Sequence, residues 1–234
     1  MELGTIVSVS GEIKEVEKAF YKVKKLGLNT CQLSCTAESM IDKLNPKEIK
    51  KLINSIDIRV DSFFLLFRGQ VWDRDSGPQT MGFIPKEYRM KRLDLAKKFS
   101  DIIAEMGIKK IVSHVGFIPD DSENPLYTGF LPVMRNFTEY CKKNKQIFCF
   151  ETGQELPSTL KRTIIDLDMD NIGINLDPAN LILYGMAHPI DAVEIFGEYI
   201  KSMHAKDALF PNRGEGLGIE VPVGEGKVNF PLLI

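Results

Sequence analysis

Three short apolar runs in the second half of the chain each end in a side chain able to bind a metal. Ile147-Phe148-Cys149-Phe150 runs into Glu151, Ile172-Gly173-Ile174-Asn175-Leu176 into Asp177, and Ile200-Lys201-Ser202-Met203 into His204. The three terminal residues are 26 and 27 positions apart, about the length of one strand plus its crossover helix. Apolar runs at that interval, with helical patterns between them, read as successive parallel strands. Two carboxylates and an imidazole at the carboxyl ends of adjacent parallel strands converge on one point, at the end where barrel enzymes keep their chemistry. The pattern predicts an α/β protein, a TIM (β/α)8-type barrel.

The rest of the chain fits that reading. Strands are expected at residues 3–9, 30–35, 58–67 and 110–116. The first helix is expected over 12–26, with Val16, Ala19, Phe20, Val23 and Leu26 as its inward stripe and Gly27 as its stop. Asn45-Pro46 opens a second helix with a cap and a first-turn proline. A long helix follows over 86–106, and others lie after 127, from Pro157 and from Pro189. Between them the seventeen residues 68–84 carry the only tryptophan, Trp72, with Arg68 and Arg74. Because this segment follows a strand, it reads as a cover over the barrel mouth. Residues 211–223 read as irregular, and 230–234 as the first turn of a further helix. The count is seven strands and six full helices. Residues 1–234 therefore read as one barrel domain, C-terminally short and lacking the eighth strand and last helix.

At 234 residues with 44% hydrophobic side chains the chain can bury a large core. A net charge of −2 gives no bulk attraction for a polyanion, so no nucleic-acid partner is expected. No apolar run is long enough to span a bilayer, so no membrane partner is expected, and Met1-Glu2-Leu3-Gly4 lacks the basic start of a secretory signal. The four cysteines do not form a disulfide framework: Cys31 and Cys35 share a strand face but stand too far apart to bond. All four are expected to be reduced and buried, in a cytoplasmic protein.

A buried carboxylate at Glu151 is costly unless it is paired or metal-bound. Asp177, just before Pro178, also has the pattern of a turn-forming residue. Mixed carboxylate and imidazole donors with open positions suit a divalent metal ion: Mn, Mg, Co or Zn. Such an ion can hold two oxygens of a hydroxy-ketone and stabilise the ene-diolate formed when a carboxylate removes the α-proton. Glu151 is placed to act as both ligand and base.

With His204-Ala205-Lys206-Asp207 and Val223-Gly224-Glu225-Gly226 beside those strand ends, the chain resembles the sugar phosphate isomerase/epimerase family of xylose isomerase-like barrels. That family includes ketose 3-epimerases, hydroxypyruvate isomerase, inosose dehydratase and endonuclease IV. The resemblance implies that Glu151, Asp177 and His204 are three of four metal ligands and that Glu151 is a catalytic carboxylate. It also implies that His114, Lys206 and Asn180 contact a small sugar or ketose substrate. Two departures stand out. The family's fourth ligand, a glutamate on strand 8, has no counterpart here, and Glu225 is not its equivalent. Asn180 stands where endonuclease IV-type members carry a histidine, and three histidines in all are too few for a trinuclear zinc site. The expected activity is sugar or sugar phosphate isomerisation or epimerisation, the alternatives being an inosose dehydratase-like lyase or a non-catalytic sugar-binding barrel. Whether the substrate is phosphorylated, and met by Arg68, Arg74 or Arg213, is open, as is assembly into a homo-oligomer through Trp72 and its loop.

Overall fold

The computed structural model describes residues 2–9, 12–212 and 216–234, with Lys43 described by its backbone alone. Arg213, and Ser10 and Gly11, where a loop is expected after the first strand, lie outside the described residues. Seven parallel strands pair in chain order: β1 (Thr5–Ser8), β2 (Thr30–Thr36), β3 (Arg59–Leu66), β4 (Lys110–Ser113), β5 (Ile147–Glu151), β6 (Ile172–Leu176) and β7 (Ile200–Met203). All five residues of β6 are buried, as a parallel strand covered on both faces requires. The sheet curls into an incomplete barrel. Lys110 Nζ of β4 donates to Lys201 O of β7 at 3.2 Å, and the His204 ring just past β7 reaches Gln32 of β2 at 2.9 Å. β1 and β7 are its two edges. An eighth parallel strand is absent among the described residues, as the strand count predicts.

Helices α1 (Ile13–Lys25), α2 (Ala37–Lys43), α3 (Pro46–Ile56), α4 (Gly77–Thr80), α5 (Lys86–Met106), α6 (Pro125–Lys143), α7 (Pro157–Leu167), α8 (Pro178–Leu183), α9 (Pro189–Phe196) and α10 (Phe230–Leu233) fill the connections. Their ends follow local chemistry. Asn45 caps α3 by accepting from Lys47 N, and Gly107 ends α5 at φ 86°. Phe63, Phe99, Phe137, Phe148 and Phe150 are fully buried between sheet and helices and meet largely edge to face.

Three features differ from expectation. Leu26, read as the end of the inward stripe, is 69% exposed because α1 stops at Lys25 and the chain turns away at Gly27. The short helices α2, α4 and α8 lie in stretches too brief to show a 3.6-residue period. Part of the stretch read as irregular is a strand, β9 (Ile219–Val221), which pairs antiparallel with β8 (Asp207–Leu209) just before that stretch. The buried Asp207 carboxylate fixes its far side by accepting from Ala208, Gly224, Gly226 and Val228 N–H groups at 2.9–3.1 Å. A Cβ at Gly226 would lie 2.0 Å from Asp207 Oδ1, so glycine is required there.

Candidate metal centre and its cavity

Glu151 is the last residue of β5, Asp177 follows β6, and His204 follows β7, so adjacent strand ends bring the three side chains together. His204 Nδ1 lies 2.8 Å from Glu151 Oε1 and 3.5 Å from Asp177 Oδ2. Both carboxylates are almost wholly buried. In the β5–β6 register Glu151 pairs with Asn175, whose amide donates to Glu151 Oε2. Asp177 does two jobs with its two oxygens. Its Oδ1 caps α8 by accepting from Asn180 N at 3.0 Å, which fulfils the turn-forming pattern before Pro178. Its Oδ2 faces His204 and the Lys206 ammonium, the latter at 3.3 Å. Thr152 ties the two strand ends together: its hydroxyl donates to Asp177 O at 2.9 Å and accepts from Asp177 N at 2.8 Å.

The electrostatics follow from this geometry. Burial alone would lower the His204 pKa, but the Glu151 and Asp177 carboxylates overcome it and push it up to about 10. Burial raises Glu151, against the pull of His204. Asp177 is held below the usual carboxylate range although burial opposes this, because His204 and Lys206 both favour its charged form. The imidazolium thus sits between two carboxylates as a cation would. His204 Nε2 is 2.9 Å from Gln32 Oε1, an atom that can only accept, and Gln32 Nε2 donates to Ser62 Oγ at 2.9 Å. The Nε2–H is therefore fixed, and Nδ1 is the nitrogen with a lone pair to offer once its proton leaves.

These residues fit a divalent cation. One ligand atom from each of Glu151, Asp177 and His204 lies within 4.8 Å of the others. Ligands at about 2.1 Å from a shared ion stand roughly 3–4 Å apart, so small side-chain shifts suffice. The donor set of two oxygens and one imidazole nitrogen suits Mn, Mg, Co or Zn.

All six residues singled out in the sequence, His114, Glu151, Asp177, Asn180, His204 and Lys206, line one cavity of about 540 Å³. Asn180 Nδ2 donates to Thr152 O at 3.2 Å. Lys206 bridges Asp177 to Glu220 of β9, which it meets at 3.0 Å. Trp72 of the long 68–84 segment also lines the cavity, and its ring meets that of His114 edge to face at 4.8 Å. Arg68 and Arg74 are exposed and do not line it. Gln32, Thr152, Gln154, Asn175 and Glu220 escape the sequence reading. Asn175 leaves a trace there, as the one polar side chain inside the Ile172–Leu176 run, whereas Gln32 stands among Thr30, Ser34 and Thr36 in β2 and is not set apart.

The sequence matches the family described as xylose isomerase-like TIM barrel over residues 20–234. A search of curated proteins returns no match. Among solved structures, a xylose isomerase domain protein from Planctomyces limnophilus is 30% identical, with a TM-score of 0.88 over 99% of this chain and 82% of that one. A xylose isomerase-like TIM barrel protein from Mycobacterium smegmatis, in complex with magnesium, is 15% identical, with a TM-score of 0.73 over 99% and 84%. A D-allulose 3-epimerase from Methylomonas sp., in complex with D-allulose, is 11% identical, with a TM-score of 0.71 over 99% and 78%. With a family match across most of its length and strand ends that carry its clustered acids and imidazole, this chain belongs to the xylose isomerase-like TIM barrel family.

Proposed function

We propose that this protein is a metal-dependent sugar or sugar phosphate isomerase or epimerase acting on a small ketose, by removal of a proton α to a carbonyl. The observation that carries this reading is the convergence of Glu151, Asp177 and His204 at the wall of one cavity. Glu151, Asp177 and His204 would hold the divalent cation, and Gln32 keeps the His204 ring turned so that Nδ1 lies on the side of the two carboxylates. When bound, that cation supplies Lewis-acid stabilisation of the negative charge that develops on the carbonyl and hydroxyl oxygens. Glu151 is the base: burial raises its proton affinity, and Asn175 orients its second oxygen. Lys206 and Asn180 donate to substrate oxygens, and Trp72 with His114 limits the entry of water over the reacting carbon. The relatives that act on free ketoses, such as the D-allulose 3-epimerase, support the substrate class. Free, buried cysteines support a cytoplasmic location.

The test is exchange of the substrate α-proton with solvent deuterium, followed by NMR with Mn²⁺-loaded protein and D-fructose. Wild type is expected to exchange it, and Glu151→Gln to lose at least about 10²–10⁴-fold in rate. Retained exchange in the variant removes Glu151 from the chemistry. Failure of wild type to bind Mn²⁺ at micromolar concentration removes the metal-dependent reading altogether.

A further inference from the structure

We propose that Gln154, held in place by His114, reads one hydroxyl of the substrate and so sets specificity for polyhydroxy ketones over their deoxy analogues. Gln154 is 4% exposed, lines the same cavity as the strand-end triad, and its Nε2 has no hydrogen-bond partner. The Tyr184 hydroxyl is a neighbour whose ionisation this amide favours, although burial raises its pKa overall. No hydrogen bond of acceptable geometry joins the two. Buried amide donors are almost always paired in folded proteins, so an unspent one on a residue that lines this cavity marks a ligand contact.

The orientation of the amide is determined by its other end. His114 Nδ1 lies 3.2 Å from Gln154 Oε1. A carbonyl oxygen only accepts, so Nδ1 carries the ring proton and the NH₂ end of Gln154 is left over. Burial drives the His114 pKa down to about 3, so the ring stays neutral and its Nε2 keeps a lone pair. The pair therefore offers one donor, Gln154 Nε2, and one acceptor, His114 Nε2. A substrate hydroxyl oxygen can accept from that amide, whereas a methylene in its place cannot. The pair is also rigid. A Cβ at Gly153 would stand 3.1 Å from Asn180 Cβ and 3.6 Å from His114 Cε1, so this glycine lets the loop close onto the ring. Phe64 and Trp72 brace the His114 ring edge to face at 5.8 and 4.8 Å.

This inference rests on the ketose reading above, and the test separates the two. Binding of D-fructose and of a set of its monodeoxy derivatives, each lacking one hydroxyl, is measured by calorimetry on Mn²⁺-loaded wild type and Gln154→Leu. The variant is expected to bind D-fructose about ten- to a hundredfold more weakly. For one derivative only, the wild type already shows that loss and the substitution adds nothing. Gln154→Glu, which keeps an acceptor toward His114 but removes the donor, is expected to behave the same way and guards against a folding defect in Gln154→Leu. Equal losses on every derivative, no loss at all, or no wild-type binding of any of these sugars overturns the assignment. Hydroxyl-selective binding without α-proton exchange would leave Gln154 in this role and overturn the chemistry instead.

Discussion

His204 meets oxygen atoms from three separate parts of the sheet: Glu151 at the end of β5, Asp177 after β6, and Gln32 on β2. The first two contacts are legible in the sequence, because each residue ends an apolar run and the runs repeat at the length of a strand and helix. Gln32 is not, because its partner lies 172 residues away and the contact exists only once the sheet curls. Its role has a measurable consequence. Gln32→Leu keeps the side-chain volume but frees the ring to turn and leaves Nε2–H unpaired. The expected result is a 10–100-fold loss of Mn²⁺ affinity with the fold retained, read by titration and by circular dichroism. Unchanged affinity would mean that Gln32 does not orient the ligand.

At the scale of elements, the site depends on how strand ends and loops are anchored. Register shifts occur at Cys31/Gln32 between β2 and β3 and at Ile174/Asn175 between β6 and β7. Such irregularities re-aim side chains next to functional sites, and here they fall on Gln32 and Asn175. The hairpin of β8 and β9 brings Glu220 to Lys206, and three of the backbone N–H groups bound by Asp207, those of Gly224, Gly226 and Val228, hold that hairpin against the turn beyond it. Removing a buried acceptor with several donors leaves those donors unpaired. Asp207→Ala is expected to destabilise the protein by about 2–4 kcal/mol and to speed hydrogen exchange at Gly224, Gly226 and Val228 first. Asp207→Asn, with one acceptor retained, should fall between. The long 68–84 segment is also anchored: Arg92 Nη1 donates to Gly82 O at 2.6 Å, Arg89 Nε donates to Phe83 O at 3.0 Å, and Phe83 N donates to Val115 O at 2.7 Å. The sequence marks this segment as a cover by its length and position after a strand. It does not reveal that two buried arginines secure its far end, since arginine is usually a surface residue.

For the whole molecule, burial of an ionisable group in the loop beyond β5 feeds into global stability. Glu155 is fully buried, and that burial pushes its pKa up to about 8, against the pull of the Glu155, Gly153 and Gln154 backbone N–H groups and with help from the Glu151 charge. Its folded-state pKa is raised, so its contribution is fully present below the unfolded value near 4.5 and is lost as pH rises through about 8. In that window unfolding lets the carboxyl ionise, and stability should fall. Glu155→Gln removes the titration. Urea melts of both proteins from pH 5 to pH 9 should show wild type losing stability relative to the variant, on the order of a few kcal/mol in total. A difference that does not change with pH would mean that Glu155 is already ionised in the fold.

The chain's linear order determined the parallel strands, most of the helix stops and the strand-end carboxylates and imidazole, because each is written in local periodicity or in capping chemistry between near neighbours. Only the tertiary structure decided which polar groups meet: Gln32 with His204, Gln154 with His114, and Asp207 with the turn at Gly224–Val228. Those pairings join residues 172, 40 and 17–21 positions apart. The curl of the sheet and the close approach of loops at its carboxyl end bring them within hydrogen-bond reach, and no pattern along the chain encodes that distance.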